Sequence, residues 1–148
     1  MPIESRLFIK TALVALVLAF SAGAALAIAS SVGVAVSPIW AIEHAHLAFV
    51  GWLVNIVIGI ALWMLPLARE RYPRTAGRYP PWAPMTVYAL LNGGLALRIV
   101  SEPFLATGAV ARTALFVSAV AQLAAILLFA YVAWQRVRGP ARPAPGVR

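Results

Sequence analysis

Four long apolar runs, at about 9–36, 39–67, 82–100 and 113–134, constrain this chain of 148 residues more than any motif in it. Each comes up to the ~20 residues that a helix needs to cross bilayer hydrocarbon. A spanning segment must satisfy its backbone hydrogen bonds internally, and an apolar run of that length does so as a helix. The expected fold is therefore all-α: an integral membrane bundle of four transmembrane helices over 1–138, followed by a disordered basic tail at 139–148. With 63% hydrophobic and 11% charged residues, the composition does not describe a soluble core.

The formal charge of +8 is distributed as a topology signal. Arg6 and Lys10 precede the first run. Arg69, Arg71, Arg74 and Arg78 follow the second, and Arg136, Arg138, Arg142 and Arg148 follow the fourth. Alternating spans put all three clusters on one side, which the positive-inside rule makes cytoplasmic. Both termini are thus expected inside, in a bacterial or archaeal cytoplasmic (inner) membrane. Contact with anionic membrane lipid would add to that role, and no nucleic-acid partner is implied. The absence of cysteine excludes disulfides, thiolate metal sites and iron–sulfur clusters.

Ala25-Leu26-Ala27 has the form of a signal-peptidase site. The uncharged run continues to about Val36, longer than the apolar core of a signal peptide, so the reading is a retained first span with a small-residue face at Gly23, Ala24 and Ala25. Ser37-Pro38 closes it and opens the second span after a very short outer loop, which makes the two helices antiparallel neighbours.

The second span, EHAHLAFVGWLVNIVIGIALWMLP, carries both histidines, His44 and His46, in its first turns. Ionisable groups are expensive in a span and mark function by default. Residues two apart in a helix point ~200° apart, so the two imidazoles cannot grip one ion from the same helix. They can face two clefts. Below His44 run Ala48, Gly51 and Asn55, with Gly59 close by, a small-residue groove suited to a flat macrocycle or to close helix approach. Below His46 lie Phe49, Val50, Leu53 and Val57. Imidazole is a standard axial ligand of haem iron. Arg98, at the same depth on the third span, suits a propionate or a salt bridge to Glu102 or Glu43. Glu43 can orient a histidine through its Nδ1–H or face water, with water favoured, and Asn55 and Asn92 are expected to bond each other across helices.

HAHLAFVGWLVNIVIGIALWMLP, with LNGGLALRIVSEP after it, resembles the histidine-bearing helices of the haem–copper oxidase catalytic subunit, especially those of C-type oxidases and nitric oxide reductases. The likeness covers roughly residues 39–103 and corresponds to one four-helix arc of that subunit. It implies haem b held by His44 and His46, with Gly51 and Asn55 beside it and with Arg98 and Arg112 on its propionates. The family's further copper-binding histidines are missing, so no copper site is expected. By symmetry, copies in a closed ring would give His44 to one haem and His46 to the next, in a homotrimer or else a dimer, with a redox partner still to be named. The expected activity is electron transfer. The alternatives are an open-faced haem protein that binds or reduces nitric oxide or oxygen, and a haem-free small transporter or accessory subunit of a respiratory complex.

Overall fold

The computed structural model describes residues 1–137. The basic tail expected over 139–148 lies outside them, as does Arg138. Among the described residues there are four helices long and apolar enough to cross a membrane, and no strand. They are α1 (Ile3–Ser31), α2 (Pro38–Met64), α3 (Ala83–Ser101) and α4 (Ala109–Trp134). A 3₁₀ segment, Glu102–Thr107, extends α3 toward α4.

The first helix begins and ends several residues earlier than its apolar run. Its end is set by Gly33, whose φ of +72° suits a residue without a Cβ. The Val34 N–H donates to the Ala29 carbonyl at 2.9 Å and the Gly33 N–H to that of Ser30 at 3.2 Å. That pair of bonds is a Schellman cap, which satisfies the last carbonyls and stops the helix although the hydrophobic sequence runs on.

Pro38 opens α2 at its first turn, where the missing N–H costs nothing. Leu47–Val54 is π-helical, between α-helical stretches Pro38–His46 and Asn55–Met64. Asn55 sits where the wide turns end, and its amide donates to the Val50 carbonyl five residues back, at 3.0 Å. Such wide turns are rare and recur near functional sites.

α1 packs antiparallel along α2, and α3 along α4, so the bundle is two hairpins meeting mainly through α2 and α3. Glycine sets how close α1 and α2 come. A Cβ on Gly51 would lie 3.0 Å from Ala15 Cβ, and one on Gly59 would lie 2.9 Å from Ile9 Cγ1 and 3.0 Å from Phe8 Cβ. Between the hairpins, Asn55 and Asn92 exchange two amide bonds of 3.0 Å, and the hydroxyls of Thr11 and Tyr88 meet at 2.7 Å. Ser118 donates to the Gly94 carbonyl at 2.8 Å and ties α4 to α3. Interhelical side-chain bonds in membranes are coupled by about 0.6 kcal/mol on average and up to about 1.7. For Asn55→Ala and Asn92→Ala, a double-mutant cycle read by unfolding in detergent should give a coupling near the upper figure. Two mutually satisfied amides break together, and Asn55 is fully buried.

At the arginine-rich end, Arg136 is fully buried beneath the loop that joins α2 to α3. Its guanidinium donates to the carbonyls of Leu62 (3.1 Å), Leu65 (2.5 Å) and Pro66 (3.2 Å), and lies 6.0 Å from the centre of the Tyr79 ring. The Tyr79 hydroxyl donates to Glu4 at 3.0 Å, and that of Tyr72 to Gln135. Burial, and then the bond and charge of Glu4, push the Tyr79 phenol above its ordinary range. The neutral phenol is the form that the fold favours. Its contribution is complete below the ordinary phenol value of about 10 and is lost as pH rises through the raised folded value. The thermal midpoint should therefore fall more steeply above about pH 10 in the parent than in Tyr79→Phe.

Candidate functional site

The two histidines stand at the arginine-poor end of α2, where α1 and α3 also end. The His44 ring packs against α1: a Cβ on Gly23 would lie 2.9 Å from its Cε1. Its Nδ1 is 3.0 Å from the Ala19 carbonyl oxygen. A carbonyl only accepts, so Nδ1 is the donor, and in the neutral ring Nε2 holds the lone pair. His46 turns back along its own helix, with Nδ1 2.9 Å from the Ile42 carbonyl oxygen, which fixes the same tautomer. Neither Nε2 has a hydrogen-bond partner among the described residues.

The His44 ring lines a cleft of about 420 Å³, within the range of small-molecule sites. Its walls are the small residues Ala22, Ala25 and Ala29 of α1, with Trp40, Glu43 and Leu47 of α2 and Ile99 of α3. Glycine and alanine on α1 thus do two things: they let His44 approach, and beyond it they leave room.

The groove below His44 is present but filled. Gly51 is buried against Ala15 of α1 and Leu95 of α3, Gly59 against Phe8 and Ile9, and Asn55 is spent on Asn92 and Val50. Arg98 is engaged as well, with Nε 2.7 Å from Glu102 Oε2 and Nη2 3.1 Å from Oε1, one turn along the helix. Arg112 is exposed near the start of α4, with no ion pair among the described residues.

Glu43 departs from the sequence expectation. It is 5% exposed rather than in water, and neither carboxyl oxygen meets a donor. Glu102, itself 7% exposed, and its ion-pair partner Arg98 are the charged groups that act on it. The sequence offered one clue to this cluster. Glu43 and Glu102 are the two acids of the arginine-poor side, one at the start of α2 and the other just beyond α3. No group of three or more His, Cys, Asp or Glu arranged to hold a metal ion occurs among the described residues.

No protein-family model matches this chain, nor does any curated protein or solved structure.

Proposed function

We propose that this chain is a membrane haem b protein that carries electrons, with His44 as an axial ligand at the arginine-poor end of the bundle. The observation that supports it is the state of the imidazoles. Each has Nδ1 tied to a backbone carbonyl, which leaves the Nε2 lone pair of the neutral ring available to a metal, and His44 lines an apolar cleft. An Nδ1–H bonded to a carbonyl orients a ligating histidine and raises the basicity of Nε2.

The donor set and the cleft fit a haem; the small-residue groove below does not, because α1 occupies it. Haem contact is accordingly assigned to the cleft walls and His44, and Gly51 and Asn55 serve by holding the helices that carry them. Arg98 would reach a propionate only by sharing its bond to Glu102, and Arg112 stands on α4, which gives no residue to the cleft. Bound there, haem b would supply a one-electron iron couple whose potential depends on axial ligands and burial. Ala22, Ala25 and Ala29 give the cleft an apolar wall, Trp40 lines it beside them, and the Ala19 carbonyl holds the ring of His44.

His46 is turned back along its own helix, so the haem held by His44 would take its second imidazole from His46 of another copy. A closed homo-oligomer, with a trimer favoured over a dimer, gives every haem one His44 and one His46. The arginine clusters favour cytoplasmic termini, in a bacterial or archaeal inner membrane. The likeness of 39–103 to a haem–copper oxidase arc leads the same way.

The test is an optical spectrum of protein purified from haem-sufficient cells, oxidised and then reduced, with and without carbon monoxide. Sharp reduced bands unmoved by carbon monoxide support the saturated carrier. Shifted bands mean an open iron and gas binding or reduction. A colourless protein sinks the haem reading. The buried Glu43–Glu102 pair favours one other reading, a haem-free relay for protons or cations, for which the measurement is proton flux into liposomes.

A further inference from the structure

The loop between α2 and α3 forms a second recess, of about 260 Å³, at the opposite end of the molecule. Its lining includes Arg71, Tyr72, Arg74, Thr75 and Tyr79. Both arginines are exposed and make no ion pair or side-chain hydrogen bond among the described residues.

The recess is built rather than loose. The Ala68 N–H donates to the Gly77 carbonyl at 2.7 Å, and the Gly77 N–H donates to that of Tyr72 at 2.8 Å. A Cβ at Gly77, where φ is +86°, would fall 2.7 Å from the Arg69 nitrogen, so the turn closes only with glycine. Tyr72 is fastened to Gln135 after α4, and Tyr79 to Glu4 in α1. The tyrosine hydroxyls are thereby engaged, and the two guanidinium groups are what the recess offers. The loop leaves α2 at Met64 and enters α3 at Ala83, so it lies at the level of lipid headgroups. Trp82, 58% exposed at that boundary, is a residue type that favours the interface.

We infer that the recess between Arg71 and Arg74 binds the phosphate of an anionic phospholipid, its acyl chains lying along the exposed apolar surface of the bundle. Guanidinium pairs phosphate with directed, charge-assisted bonds, and a headgroup at this depth meets both arginines without leaving the membrane. The inference is independent of the haem reading and of which way the chain crosses the membrane.

Native mass spectrometry of the full chain in detergent, titrated with phosphatidylglycerol or phosphatidylcholine, tests it. The parent should retain one phosphatidylglycerol in preference to phosphatidylcholine, and Arg71→Gln with Arg74→Gln should weaken that binding about tenfold or more. Arg6→Gln with Lys10→Gln, which removes the same charge elsewhere, should leave it within about twofold. Equal losses in the two double variants would mean diffuse attraction and overturn the site, as would equal retention of both lipids. Displacement of the lipid by millimolar inorganic phosphate would overturn it in favour of a free-anion site. Arg71→Lys with Arg74→Lys keeps charge but not the planar fork. It should bind less well than the parent, which secures the test if the glutamine variant folds poorly.

Discussion

Replacing His44 by alanine is expected to strip haem from the purified protein. Removing a group that merely orients a ligand costs roughly 10–100-fold in affinity, and the ligand itself should cost more. The decisive comparison is with Gly23→Ala. Its added Cβ would lie 2.9 Å from His44 Cε1, so the ring must shift, yet Nε2 is still present. That variant should keep haem with displaced bands and a changed midpoint potential, while His44→Ala should be colourless. If ligands are shared between copies, His46→Ala loses haem and oligomer together. A haem-replete monomer of His46→Ala would refute the sharing. Unchanged absorbance in His44→Ala would refute the assignment of the site.

The second large effect concerns folding. Arg136→Ala deletes three bonds to the carbonyls of Leu62, Leu65 and Pro66, and leaves the end of α2 unpartnered beneath the loop. A hydrogen bond to a charged group is worth about 1.5–3 kcal/mol, and a buried carbonyl left alone costs a further penalty. A loss of at least about 3 kcal/mol follows, read as a fall of about 10 °C in thermal midpoint. Arg136→Lys should recover only part of it, because a single ammonium cannot reach three carbonyls in the geometry of a guanidinium. Burial disfavours the charged form of Arg136. The carbonyl cage answers that cost, so an apolar replacement of similar length, Arg136→Met, should not restore the midpoint.

The spans were legible because length and hydropathy alone dictate them. Their ends were less so. The apolar run of α1 continues to Val36, but Gly33 in the left-handed region halts the helix at Ser31, and a local cap outranks hydrophobicity there. The pattern Ala48, Gly51, Asn55 was visible below His44, but nothing in it says whether a cofactor or another helix fills such a groove. In the structure the filler is α1, whose Ala15, Ile9 and Phe8 meet Gly51 and Gly59. The wide turns of Leu47–Val54 had no signature beyond Asn55, which reads equally well as a bridge to Asn92 and does both. Arg136 read as one more topology charge, because its partners are backbone carbonyls distant in sequence. A carboxylate at the start of a span is expected in water, which is where the sequence puts Glu43. It is buried instead, and the groups that act on it, Glu102 and Arg98, lie beyond or late in α3, a proximity that no local pattern encodes.

The meeting of the two hairpins through paired amides has a consequence for biogenesis. When the first hairpin has left the translocation channel alone, Asn55 has its own Val50 carbonyl but no neighbour for the rest of its amide, and Glu43 has neither Glu102 nor Arg98. Polar groups facing hydrocarbon are costly, so that half-made molecule should linger at the channel or be claimed by a membrane protease until α3 emerges. A chain stopped after residue 67 is then short-lived in cells. Supplying α3 and α4 as a separate polypeptide should lengthen its life, and should do so less well when that polypeptide carries Asn92→Leu.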